Sequence, residues 1–187
     1  EDCPICFLPL PLESSNTRYQ ACCGKEICLG CIHADRVENR TICPFCRAPA
    51  ITLDGDDLRE LVQRLQKRVE CGDAEAVRNL GSLYDRGEYG LTQDHEKAME
   101  LWLQAGGLGC ARSYGSIANA YYNGTGVQRD EKKAEYYWEL AAMRGDLPAR
   151  HNIGVLEGKA GNISRAMKHW MISAAAGCDD SLKKIRV

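Results

Sequence analysis

The chain has 187 residues, with 24 Lys and Arg against 26 Asp and Glu, a formal net charge of −2. Residues 1–50 carry six acids and five bases and the remainder twenty and nineteen, so neither part presents the basic excess that nucleic-acid binding requires. No apolar run reaches the roughly 20 residues of a membrane-spanning helix, and no signal peptide stands among these residues. The start at Glu1, two residues before the first candidate metal ligand and without an initiator Met, reads as a fragment.

Of eleven cysteines, eight lie within the first 46 residues: Cys3 and Cys6, Cys22 and Cys23, Cys28 and Cys31, Cys43 and Cys46. A Cys-x-x-Cys step lets one tetrahedral Zn²⁺ take both sulfurs, and eight sulfurs fill two closed sites with no position for a reactive water. The two ions would be structural. A disulfide framework is the other use of paired cysteines, but it belongs to small secreted chains, and the remaining Cys71, Cys110 and Cys178 are scattered and odd in number. The pattern therefore points to a reducing compartment, cytoplasmic or nuclear. Eight thiolates and two dications leave a formal −4, which Arg18, Lys25, Arg36, Arg40 and Arg47 can offset as donors.

Written out, the spacing Cys3-x2-Cys6-x15-Cys22-Cys23-x4-Cys28-x2-Cys31-x11-Cys43-Pro-Phe-Cys46 resembles the RING finger family over about a quarter of the chain. The resemblance implies interleaved sites, one ion on Cys3, Cys6, Cys28 and Cys31 and another on Cys22, Cys23, Cys43 and Cys46. Such interleaving would tie distant segments together where only a few apolar side chains, Ile5, Leu8, Ile27, Ile32 and Phe45, are on hand for a core. Zinc affinity would then supply folding free energy, about 10 kcal/mol per site. The middle departs from the family pattern: its third and fourth ligands are usually one residue apart, and Lys25, which as a cation cannot ligate, stands where His often falls. Either Cys22 and Cys23 both bind, or one is spared and His33 takes its place. Gly24, which permits unusual backbone, favours the first.

RING fingers typically act as ubiquitin ligases, docking a charged ubiquitin-conjugating enzyme and orienting its thioester, a task of positioning with no covalent active site. By position, the resemblance assigns the docking role to Ile5 and Pro44, each between two ligands, and contact with ubiquitin to Arg47. The plain alternative has Ile5 and Pro44 shaping metal-binding turns and Arg47 donating to sulfur, in a noncatalytic zinc-binding interaction scaffold. No Ser-His-Asp set, phosphate-cradling glycine loop or open metal motif points to other chemistry.

After Arg47 a short linker leads to a predicted helix with Leu58, Leu61, Val62, Leu65 and Val69 on one face, an Asp57/Glu60 capping box, and a stop at Gly72. Beyond it the sequence repeats. Gly72, Gly109, Gly145 and Gly177 are 37, 36 and 32 residues apart. Four residues after each stands a small residue (Ala76, Ser113, Ala149, Ser181) and eight after each an aliphatic one (Leu80, Ile117, Ile153, Ile185). Later in the units Ala98, Ala134 and Ala166 are each followed four residues on by Trp102, Trp138 and Trp170. The offsets predict stacked helical hairpins, such as Ala74 to Arg86 paired with Asp94 to Ala105, small residues at the crossings and tryptophans filling the space between units. Gly81, Ala118 and Gly154 share one position on the first helices.

With Asn123-Gly124-Thr125-Gly126-Val127 before Asp130 and Lys133-Ala134, the pattern resembles Sel1-like repeats, relatives of the tetratricopeptide repeat. That resemblance implies an adaptor holding an unidentified protein partner. Tyr121, Tyr122, Tyr136, Tyr137 and Trp138 read as core, and Glu131, Lys132, Lys133 and Glu135 as a solvated face. Cys110 and Cys178 occupy the place of Asp73 and Asp146 and read as tolerated small residues, and His151 and His169 as structural. The Asn-x-Ser/Thr matches at Asn39, Asn123 and Asn162 carry little weight. The expected whole is a small zinc-stapled RING-like α+β module over 1–50, a linker and connecting helix over 51–71, and an all-α helical-hairpin solenoid over 72–187 with about three repeats and the start of a fourth.

Overall fold

The computed structural model describes residues 2–11, 17–37, 42–49 and 55–186, without the side chains of 35–37 and 55–58. Asn39, Arg40, the linker at 51–54 and the side chains of Arg36, Asp57 and Leu58 therefore lie outside the described residues. The chain falls into two compact units, Glu1–Gly109 and Cys110–Val187.

In the first unit, strands β1 (Thr17–Gln20) and β2 (Lys25–Cys28) pair antiparallel, from Thr17 opposite Cys28 to Gln20 opposite Lys25. The turn between them closes with Gly24 N–H donating to Gln20 C=O at 2.8 Å, and Gly24 sits at φ +72, where an L side chain is strained. Helix α1 (Leu29–Val37) follows directly. Helix α2 (Gly55–Glu70) begins two residues before Asp57, which therefore lies in its first turn and not at a capping position. Gly72, at φ +75, ends the turn that follows. Val62 and Leu65 of α2 form one core with Ala21 of the strand turn and with Ala76, Leu80 and Leu83 of helix α3 (Ala74–Arg86). Helix α4 (His95–Gly107) closes the first hairpin on α3.

The second unit repeats that design in α5 (Ala111–Asn123) with α6 (Glu131–Met143), α7 (Leu147–Lys159) with α8 (Ile163–Ala175), and the short α9 (Asp179–Ile185). The small-residue offset marks the tightest packing: Ala76, Ser113, Ala149 and Ser181 are all at most 1% exposed. Asp73 and Asp146 cap α3 and α7, accepting backbone N–H bonds from Glu75 and Ala76 and from Ala149. Cys110 and Cys178 hold the matching positions of α5 and α9 without a side-chain cap bond. Asp94 and Asp130 cap α4 and α6 in the same way, one residue before those helices begin. His151 Nδ1 lies 2.8 Å from Ser181 Oγ, joining α7 to α9, and burial lowers its pKa.

Two of the tryptophans differ from expectation, whereas Trp138 shares one core with Ala149 and Ile153 of the next hairpin, as expected. Trp102 and Trp170 lie within their own hairpins, edge-on to Gly81 and Gly154 of the facing helix, because a residue without Cβ opens a slot the indole fills. A Cβ on Gly154 would stand 2.5 Å from Trp170 Nε1, and one on Gly81 2.9 Å from Trp102. Where the position is Ala118, Trp138 instead donates from Nε1 to Asn119 Oδ1 at 3.1 Å and packs against Tyr122. The tyrosine cluster is partly core, with Tyr114, Tyr121, Tyr122 and Tyr137 against Ala118 and Trp138, while Tyr136 is 60% exposed. Gly154→Ala gains about 1 kcal/mol in helix propensity, but overpacking against Trp170 costs about 1–3 kcal/mol. Thermal unfolding should therefore show net destabilisation, where an ordinary exposed helical glycine would show a gain.

Candidate metal centre

Two segments of residues 2–49 fold alike. Cys3 N–H donates to Leu8 C=O at 2.8 Å and Phe7 N–H to Cys3 C=O at 2.8 Å; forty residues on, Cys43 N–H donates to Ala48 C=O at 2.7 Å and Arg47 N–H to Cys43 C=O at 3.0 Å. Isolated β-bridges close both, Asp2 with Pro9 and Ile42 with Pro49. Phe7 and Arg47, each following the second cysteine, take the left-handed conformation at φ 59 and 58. Each segment reads Cys-Pro-x-Cys-x-x-Pro, a duplication legible in the sequence once the prolines are read with the cysteines. The turn points backbone N–H groups inward around the cysteines, the arrangement a thiolate needs.

The other four cysteines come from the hairpin and its helix: Cys22 and Cys23 in the strand turn, Cys28 at the end of β2, Cys31 in the first turn of α1. The sulfurs of Cys3, Cys6, Cys28 and Cys31 lie within 4.8 Å of one another, as do those of Cys22, Cys23, Cys43 and Cys46. The Cys3–Cys31, Cys6–Cys28 and Cys23–Cys43 sulfurs are each 3.8 Å apart. A tetrahedral zinc with Zn–S of about 2.3 Å requires sulfurs about 3.8 Å apart, so the donor set and its spacing fit that ion. His33, exposed on α1, belongs to neither group, whereas Cys22 and Cys23 both join the second.

The electrostatics of the thiols say why a cation suits these places. Burial works against ionising Cys3, yet backbone N–H groups of Cys28, Cys6 and Ile5 outweigh it and bring the thiol down to about 6. Cys31 is pushed up to about 12 by burial and by neighbouring Cys28, Cys6 and Cys3. In the second cluster burial, with Cys46 and Cys43 beside it, drives Cys22 upward, while Cys43 is lowered because backbone and thiol hydrogen bonds outweigh its burial. Adjacent sulfurs compete for one negative charge until a dication removes the conflict.

Ile5 is 37% exposed, and Pro44 and Arg47 are exposed too. Of the apolar residues expected in a module core, Ile27 is buried and Ile32 and Phe45 are half-buried, but Leu8 is 64% exposed and Ile5 also faces outward. The inward side of the Cys-x-x-Cys turn is taken by backbone amides and sulfur, which leaves those side chains outside. Phe7, not singled out by the sequence, is 79% exposed beside them.

The Sel1 repeat profile matches residues 74–110 and 111–146, the α3/α4 and α5/α6 hairpins with their flanking turns. This chain carries Sel1 repeats. Over 108 residues, 57% of the chain, it is 31% identical to the Arabidopsis thaliana protein named ERAD-associated E3 ubiquitin-protein ligase component HRD3B, and it spans 17% of that relative's length. Among solved structures it is similar to a Sel1 repeat protein from Oxalobacter formigenes, with a TM-score of 0.63 and 25% identity, covering 67% of this chain and 52% of that one. It is also similar to c5321, a protective antigen of uropathogenic Escherichia coli with an SLR fold, at a TM-score of 0.59 and 27% identity, covering 64% and 26% of the two chains. Sel1 repeats imply protein–protein interaction, here with an unspecified partner.

Cobalt(II) titrated into the reduced, metal-free chain should give tetrahedral ligand-field bands with strong thiolate charge transfer that saturate at two equivalents. Because every sulfur must lose its proton to bind, those bands should fade on acidification. Saturation at one equivalent would mean that one of the two sulfur groups holds no metal.

Proposed function

We propose that residues 2–49 are an all-cysteine, RING-type module holding two structural zinc ions, and that the chain is an adaptor joining this module to a protein-binding Sel1 stack. The observation that carries the proposal is the pair of interleaved four-sulfur groups, each drawing two cysteines from a Cys-Pro-x-Cys turn and two from the hairpin or its helix. Zinc on these sulfurs would supply cross-links and no reactive chemistry, since each site is closed by four protein ligands.

In this reading the module docks a ubiquitin-conjugating enzyme through Ile5 and Pro44, with Arg47 reaching ubiquitin, and the repeats hold a substrate or complex partner. Ile5, Pro44 and Arg47 are exposed, as docking groups must be. The left-handed backbone at Arg47 and its N–H bond to Cys43 C=O fix where that side chain leaves the turn. Likeness to a protein named as a component of an ERAD-associated E3 ubiquitin-protein ligase lends further support. Catalysis by such a module is positional: it restricts a reactive thioester and contributes no acid, base or nucleophile of its own.

Purified zinc-loaded protein, incubated with ubiquitin-activating enzyme, ubiquitin and a panel of conjugating enzymes, should form ubiquitin chains with at least one of them. Ile5→Ala and Arg47→Ala should each lower the rate about tenfold or more without loss of zinc, as expected where one contact orients a transition state. Zinc-replete wild type that is inactive with every conjugating enzyme would assign the chain to the noncatalytic scaffold class.

A further inference from the structure

Helix α2 reaches both halves of the second sulfur group. Arg64 and Arg68 stand one turn apart on it, at i and i+4, and so on one face. Arg64 donates from Nη1 to the Pro49 carbonyl at 2.9 Å, on the turn that carries Cys43 and Cys46. Arg68 lies over Gly24, the residue after Cys23, so closely that a Cβ on Gly24 would collide with the guanidinium. The two loops that supply the four sulfurs are thus each touched by one arginine of the same helix.

Arg68 does more than cover the loop. It donates from Nε and Nη2 to Asp73 Oδ2 at 3.0 and 2.7 Å, and Tyr19 of β1 donates its hydroxyl to the same oxygen at 2.6 Å. The other oxygen, Oδ1, accepts from the N–H groups of Glu75 and Ala76 at 3.1 Å each and so caps α3. Burial opposes the charge on Asp73, yet Tyr19, Arg68 and the Ala76 amide together hold its carboxyl below the ordinary range. Side-chain exposures of 32% for Arg68 and 13% for Asp73 keep that pair from being merely a solvated surface pair, while the Arg64 bond to Pro49 is exposed. Ala21, one residue before Cys22, is packed in the same core as Val62, Leu65 and Ala76.

We infer that α2 is a clamp on the second metal site: Arg64 and Arg68 are positioning residues that hold its two ligand-bearing loops, and through Asp73 Arg68 ties occupancy of that site to the capped start of the first repeat. The inference rests on the zinc reading above. Coupling of this kind is reciprocal, so a clamp that tightens metal binding must also be tightened by metal. The contacts of the two arginines fall on Gly24, beside Cys23, and on Pro49, in the turn of Cys43 and Cys46, so the second site is held directly and the first only through the hairpin they share.

The test compares zinc-loaded wild type with Arg64→Gln/Arg68→Gln and with the charge-conserving Arg68→Lys, with circular dichroism confirming that the helices persist. During slow chelation, cysteine alkylation followed by mass spectrometry reports which sulfurs become free. The glutamine pair should expose Cys22, Cys23, Cys43 and Cys46 about tenfold faster than wild type, the size expected of a typical coupling energy, while Cys3, Cys6, Cys28 and Cys31 keep the wild-type rate. Arg68→Lys should fall between. In wild type, loss of the second zinc should speed hydrogen exchange at the Glu75 and Ala76 amides and leave amides of α7 unchanged. Equal release from both sites in wild type and variant, or exchange at Glu75 and Ala76 indifferent to metal, would overturn the clamp while leaving the zinc reading intact. Immediate alkylation of all eight cysteines in the zinc-treated wild type would overturn both.

Discussion

Four thiols gathered within 4.8 Å of one another cannot all ionise without a cation among them, and the N-terminal part of this chain builds that situation twice. Little else is there to hold it together. Among the described residues from 2 to 49, only Cys3, Ala21, Ile27 and Cys43 are buried, and two of those four are members of the sulfur groups. A segment with so small an apolar core falls short of the burial that lets a domain stand alone. Its cohesion comes from the backbone bonds of two duplicated turns and from the face that Tyr19 and Ala21 offer to α2 and α3, and, on the proposed zinc reading, from the metal-linked sulfur groups.

The helical repeats solve the same problem by close approach. Ala76, Ala98, Ala105, Ala118, Ala134, Ala141 and Ala166 are completely buried, so small side chains stand where the helices pack closest. Indole rings then occupy the slots left open by Gly81 and Gly154, trading helix propensity for contact. Such hairpins gain stability chiefly from neighbouring hairpins, which is the logic of a repeat array. The cysteine-rich segment obtains part of its support in the same manner, by sharing a core with the first hairpin.

Much of this was legible from residue type and spacing. The small and alanine offsets of the repeats map onto buried positions of successive helices, as do the aliphatic Leu80, Ile117 and Ile153 but not Ile185, and the predicted limits of the first repeat helix, Ala74 to Arg86, coincide with α3. The grouping of Cys22 and Cys23 with Cys43 and Cys46 followed from a resemblance, and Gly24 adopts the positive φ that the adjacent pair demanded. Other features were not legible, for identifiable reasons. Periodicity reports which face of a helix is buried but not its partner, so it does not show that Trp102 and Trp170 pack against Gly81 and Gly154 of their own hairpins. Apolar character alone placed Ile5 and Leu8 inward, where amides and sulfurs crowd them out. The bond between Tyr19 and Asp73 spans 54 residues and leaves no local signature. By contrast the repeated Cys-Pro-x-Cys-x-x-Pro is open to view in the sequence, because its prolines as well as its cysteines recur.

X-ray absorption at the zinc edge, on protein prepared under reducing conditions and quantified for metal, tests the account most directly. It predicts two equivalents of zinc with a first shell of four sulfurs at about 2.3 Å and no nitrogen. Fewer than two equivalents, or a shell containing imidazole nitrogen or oxygen, would contradict it.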